Sequence, residues 1–142
     1  MAAIVVDASV MVALYIEEPL STPARAALLR AREEGDQLHA PDLILVECAN
    51  AFWKRVGRKE LDRPSAMTAI GSLSNLEALD RHPLDRQLVP SALSLALAHS
   101  LTAYDAAYAA LAVQLGGTVI SGDRRFVHRA SEAGLPVVGV DG

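Results

Sequence analysis

The chain has 142 residues, one cysteine, and thirteen Lys and Arg against seventeen Asp and Glu for a net charge of -4. A single cysteine rules out an internal disulfide framework, and the acidic balance argues against a general nucleic-acid coat protein. With 51% hydrophobic and 21% charged residues the chain is not a disordered one, and its length suits one domain, residues 1–142, with apolar surface to spare for an interface.

In chain order, Ile4-Val5-Val6 is a β-branched run that ends at Asp7 and reads as a buried strand. No basic leader or long apolar segment precedes it, so no signal peptide is expected and the expected compartment is the reducing cytoplasm. A helix is expected after Ser9 and another over Thr22 to Glu34. Gln37 to Ala40 reads as a short strand. Asp42 to Val56 is the strongest amphipathic segment, with Leu45, Cys48, Ala49, Phe52 and Val56 on one stripe. Ser65 to Leu73 is helical, and Leu76 to His82 is a weaker strand candidate. The most apolar stretch, Ser91 to Leu115, divides into helices over Ser91 to His99 and Ala103 to Leu115. It carries His99 and Asp105, and an aspartate near mid-bilayer costs roughly 2.5–3.5 kcal/mol, so a buried helix pair is expected rather than a membrane span. Thr118 to Ile120 is a strand leading to Ser121-Gly122-Asp123, Arg124 to Ala133 a helix, and Pro136 to Val140 a last strand. Strands alternating with helices imply an α/β layer fold with a mainly parallel central sheet, and Asp7 and Asp123 fall at the carboxyl ends of strands, where such folds bind ligands.

Four acidic residues, Asp7, Glu47, Asp105 and Asp123, each have an ordinary structural explanation. Asp7 suits an Asx turn, Asp123 a helix N-cap, and Thr102-Ala103-Tyr104-Asp105 matches a capping box, while Glu47 suits a solvated helix face. Together they lie on elements able to converge on one rim of the sheet. Crowded carboxylates repel unless a cation neutralises them, and oxygen donors favour Mg2+ or Mn2+, ions suited to phosphodiester hydrolysis.

The chain resembles the PIN-domain ribonucleases, especially the VapC-type toxins of prokaryotic toxin–antitoxin pairs. The likeness rests on Val6-Asp7-Ala8-Ser9, Glu47-Cys48-Ala49-Asn50, Leu101 to Tyr108, and Ser121 to Phe126, in that order. It implies a PIN-like α/β/α sandwich with metal-binding and catalytic residues at Asp7, Glu47, Asp105 and Asp123, supported by Ser9, Asn50 and Ser121; many relatives have threonine where this chain has Ser121. It further implies a cytoplasmic, homodimeric RNA-cleaving toxin silenced by a cognate antitoxin, whose arginine would pair strongly with the carboxylates.

Basic residues Lys54 and Arg58 fall on the helical face carrying Glu47, and Arg124 and Arg125 follow Asp123, so these four are candidate RNA-phosphate contacts. Solvated surface charge is the ordinary reading of each. A receiver-like, Mg2+-binding signalling domain is an alternative, but this chain lacks the second acid next to Asp7 and the late-strand lysine that such a domain needs; an inactive PIN-like binding module is another. Cys48 lies on an apolar stripe with no histidine near it in sequence, which disfavours a thiol hydrolase, and the four histidines show no paired spacing typical of a zinc site.

Overall fold

The computed structural model describes residues 1–141. The elements run β1 (Ala3–Val6), α1 (Ala8–Tyr15), α2 (Ser21–Glu33), β2 (Gln37–Pro41), α3 (Leu43–Gly57), α4 (Arg63–Ser74), β3 (Leu79–His82), α5 (Leu88–His99), α6 (Ala103–Leu115), β4 (Thr118–Ser121), α7 (Arg124–Glu132) and β5 (Val137–Gly139). All adjacent strands pair in parallel, in the order β3-β2-β1-β4-β5. The chain fills one half of the sheet outward from β1, then returns to add β4 and β5 on its other side. The carboxyl ends of β1 and β4 therefore flank the topological switch point, the crevice where open α/β sheets accept ligands.

Two consecutive buried residues, Val5 and Val6, show that the central strand is covered on both faces, as parallel sheets are. Helix α6 lies deepest, with Ala106 to Ala112 all buried, because its alanines admit close approach to the sheet. Phe52 of α3 meets Tyr15 of α1 edge to face, with ring centroids 6.4 Å apart, and this contact seats the helix that carries Glu47. The Arg55 guanidinium pairs with Glu18 and Glu60, fixing the far end of the same helix.

Helix starts differ from the sequence reading where a cap lies upstream of the apolar run. Asp7 itself caps α1, so that helix begins at Ala8; Asp62 caps α4 ahead of Pro64, and Asp85 accepts the Leu88 and Gln87 amides ahead of α5. The segment read as a strand over Leu76 to His82 contracts to Leu79–His82, an edge strand paired with β2. No helix is long and apolar enough to cross a membrane among the described residues. Gly117 is required for close approach: a Cβ there would lie 2.2 Å from the Ala3 carbonyl oxygen, where α6 turns into β4.

Candidate active site

Asp7 sits at the end of β1 and is 6% exposed. Its Oδ1 accepts the Ser9 hydroxyl at 2.5 Å and the Val10 amide at 3.2 Å, while Oδ2 accepts the Ser121 hydroxyl from β4. Each hydroxyl also accepts an amide from the following loop: Gly122 N–H reaches Ser9 Oγ at 2.8 Å, and Asp123 N–H reaches Ser121 Oγ at 3.0 Å. Two serines thus stitch the β1 and β4 ends together around one carboxylate. Burial raises the Asp7 pKa from 3.8 to about 6; the Ser121, Ser9 and Val10 hydrogen bonds oppose this, and the Asp123 charge adds to it.

Asp123 is exposed and caps α7, accepting the Arg125 and Phe126 amides at 3.0 and 3.2 Å. Asp105 lies in the first turn of α6, where the Thr102 hydroxyl accepts its amide at 3.1 Å. Burial, then the charges of Asp123 and Asp7, raise the Asp105 pKa from 3.8 to about 6, against the opposing effects of Thr102 and Arg129. Glu47 of α3 accepts the Tyr108 hydroxyl at 2.5 Å; burial raises its pKa, the Tyr108 bond lowers it and Asp105 raises it. All four acids are therefore linked electrostatically through Asp7 and Asp105, although β1, α3, α6 and the β4–α7 turn supply them separately. The capping roles at Asp7, Thr102 and Asp123 hold at the same time as this convergence. Capping and site formation do not compete: Asp7 and Asp123 cap helices in the turns that follow β1 and β4, and Thr102 caps α6 in the α5–α6 turn through its own hydroxyl, so that the Asp105 carboxylate is not itself the cap.

Among the described residues, none of the four carboxylates lies within 4.0 Å of a Lys or Arg nitrogen. Nor do any three bring their oxygens within 4.8 Å of one another, so the cluster is open rather than a closed cage. An all-oxygen, anion-rich, open rim fits a hard divalent ion that keeps part of its water shell.

The remaining sequence candidates divide by location. Asn50 is exposed on α3, three residues beyond Glu47 and so on a neighbouring part of the helix surface. Arg125 lines a recess of about 190 Å³ with Thr102, Asp105, Asp123 and Arg129. Arg124 instead pairs with Asp141 at 3.5 Å and lines a separate hollow beside Gly122. Lys54 and Arg58 line a groove of about 750 Å³ between α3 and α4, shared with the exposed Trp53 and Met67 and with Phe52 and Ile70. Cys48 is fully buried and its thiol is pushed up to about 12, by burial first and then by Glu47 and Asp7, so it is not a thiolate at neutral pH.

Sequence reasoning assigned no role to Tyr108 or Arg129. Tyr108 follows Asp105 by three residues and Arg129 follows Arg125 by four, so each shares a helix face with a residue already singled out, and that spacing was the available signal.

The family model described as "PIN domain" matches residues 4–132. The chain is similar to a protein named ribonuclease VapC3 from Pyrobaculum aerophilum, with 38% identity over 127 residues that cover 89% of this chain and 93% of the relative. It is also similar to ribonuclease VapC1 of Mycobacterium tuberculosis, with 32% identity over 113 residues and 80% of each chain covered. Among solved structures, the sarcin-ricin-loop-cleaving toxin VapC20 of Mycobacterium tuberculosis has a similar fold, with a TM-score of 0.71 at 19% identity, covering 93% of this chain and 95% of that one.

Proposed function

The chain belongs to the PIN-domain family, and from that premise we propose that it is a Mg2+- or Mn2+-dependent endoribonuclease of VapC type, the toxin of a toxin–antitoxin pair. The observation that carries the metal-dependent reading is the convergence of Asp7, Glu47, Asp105 and Asp123 at the β1–β4 switch point with, among the described residues, no Lys or Arg nitrogen within 4.0 Å of them. These four acids would hold the divalent ion. Its chemistry, when bound, is to activate a water for attack on a phosphodiester and to offset the charge that grows on the phosphate.

The protein's own groups have separable tasks. Ser9 and Ser121 orient Asp7 and hold it against the loop carrying Asp123. Tyr108 favours the charged form of Glu47 and fixes one of its oxygens. Arg125 and Arg129 stand beside Asp105 and Asp123, placed to meet an RNA phosphate. Lys54 and Arg58 line the separate α3–α4 groove and would offer a second phosphate contact there.

The partners are an RNA substrate and a cognate antitoxin, whose insertion of an arginine among the carboxylates would pair directly with them. A homodimer has an available face on α5, where the exposed Val89, Leu93 and Leu97 recur every four residues. Incubating the purified, antitoxin-free chain with structured RNA tests the activity: cleavage with Mn2+ or Mg2+, reversible loss with EDTA and loss in Asp7→Asn are expected. Cleavage that survives complete metal removal would refute the metal-dependent reading.

A further inference from the structure

We infer that His39, Asp80 and His82 form a second metal site, on the β2–β3 edge of the sheet, that takes a transition ion of the zinc class. In the parallel register His39 pairs with Asp80 and Pro41 with His82. Paired residues share a face, and so do residues two apart on a strand, so the three side chains project together. The spacing is invisible to a search for helical or finger-like ligand pairs, because one ligand comes from β2 and two from β3.

The distances suit coordination. His39 Nδ1 and His82 Nε2 are 2.9 Å apart, and Asp80 Oδ2 lies 3.5 Å from the first and 3.8 Å from the second. A circle through three atoms so spaced has a radius of about 2.0 Å, close to the ~2.0–2.2 Å typical of zinc bonds to imidazole nitrogen and carboxylate oxygen. Two ring nitrogens in hydrogen-bond contact hold at most one proton between them, so at least one presents a lone pair. Arg81, between Asp80 and His82 in sequence, is directed elsewhere, to Asp42 and the Ser74 carbonyl at 3.4 Å each, and does not occupy the Asp80 carboxylate. Among the described residues this is also the one group whose three ligand atoms lie within 4.8 Å of one another.

Two imidazoles and one carboxylate prefer Zn2+, Co2+ or Ni2+ over Mg2+, the reverse of the all-carboxylate rim at β1 and β4. The two sites share no residue. His39 is buried at the base and Asp80 is exposed, which leaves a solvent-facing position for a fourth ligand. A bound ion would tie the edge strand β3 to β2 and so stabilise the fold without entering the acidic rim.

The test is Zn2+ titration and Co2+ absorption of the full chain in excess Mg2+, which occupies the hard rim, with Asp80→Asn and His82→Gln alongside. The parent is expected to show the visible absorption of low-coordinate Co2+, and its Tm should rise by about 5–10 °C at a Zn2+ concentration near 100 times Kd. Both substitutions should weaken Zn2+ binding on the order of 100-fold and leave Mn2+-dependent RNA cleavage unchanged. Asp80 is exposed, so Asp80→Asn decides the matter if His82→Gln fails to fold. A parent with no Co2+ band and no Zn2+-dependent Tm rise would overturn the proposal, as would equal Zn2+ affinity in the parent and Asp80→Asn.

Discussion

The Tyr108 hydroxyl of α6 donates to Glu47 Oε1 of α3 at 2.5 Å, a bond that spans the helix interface and ends on one of the four clustered acids. Tyr108 is 2% exposed and its own ionisation is pushed far upward by burial and by Glu47, so it remains a donor at every working pH. It acts on the site through Glu47.

Tyr108→Phe keeps the ring and deletes the bond. The Glu47 pKa, already raised by burial, should rise further because an interaction that lowers it is gone. The acidic limb of the pH–rate profile should therefore move to higher pH, Mn2+ affinity should fall, and stability should drop by about 1.5–3 kcal/mol, as for other hydrogen bonds to charged groups. Superimposable pH profiles for parent and variant would remove Tyr108 from any positioning role.

The metal-free protein should show the electrostatic strain of its site as a pH dependence of stability. Asp7 and Asp105 have folded pKa values of about 6, above the ordinary 3.8, so the folded state binds these protons more tightly than the unfolded chain. Their contribution is fully present below 3.8 and is lost as pH rises through about 6. For Asp7 the difference amounts to about 3 kcal/mol. Asp62 and Asp85, held low by capping amides, pull the opposite way, so the informative quantity is the Tm of the parent minus that of Asp7→Asn in EDTA. That difference should fall between about pH 4 and pH 7, and the Tm gain from Mn2+ should grow over the same interval. A flat difference would mean that Asp7 is not strained.

The sheet and the acidic rim were legible because strand-end aspartates and amphipathic spacing are local signals. Asp7 and Asp123 each follow a β-branched run, and Glu47 lies on the best-patterned helix. The caps at Thr102 and Asp123 were legible as motifs, but those at Asp62 and Asp85 were not, since a proline stands in each following first turn, Pro64 and Pro90, and interrupts the helical pattern there. Tyr108 on Glu47, Arg129 beside Asp105 and the grouping of His39 with Asp80 and His82 depend on which helices and strands become neighbours. Such pairings are set by topology, and no window of sequence contains them.

The basic candidates separate into two experiments. Arg125→Glu, at the acidic recess, should weaken RNA binding and reduce its salt dependence, whereas Arg124→Glu, across the turn and paired with Asp141, should do little. Lys54→Glu should also weaken RNA binding and leave Mn2+ affinity nearly unchanged. Binding measured from low to moderate salt checks both. If Lys54→Glu alters antitoxin affinity alone, the groove shared with Trp53 and Met67 is a protein-docking surface and the RNA path runs elsewhere.

Asp105 gives the sharpest separation of folding from chemistry. Its backbone amide is capped by the Thr102 hydroxyl at 3.1 Å, a bond that Asp105→Asn leaves in place. If the carboxylate served only the helix start, the substitution would cost about 1 kcal/mol or less and turnover would survive. The charges of Asp123 and Asp7 raise its pKa, however, so removing its own charge relieves repulsion inside the crevice. Asp105→Asn is therefore expected to hold or raise the metal-free Tm at neutral pH, to weaken Mn2+ binding, and to abolish RNA cleavage. Cleavage rate, Mn2+ affinity and Tm in EDTA, measured on one preparation, check the three together. Near-normal turnover with a lowered Tm would assign Asp105 to the helix alone and leave Asp7, Glu47 and Asp123 as the metal-binding acids.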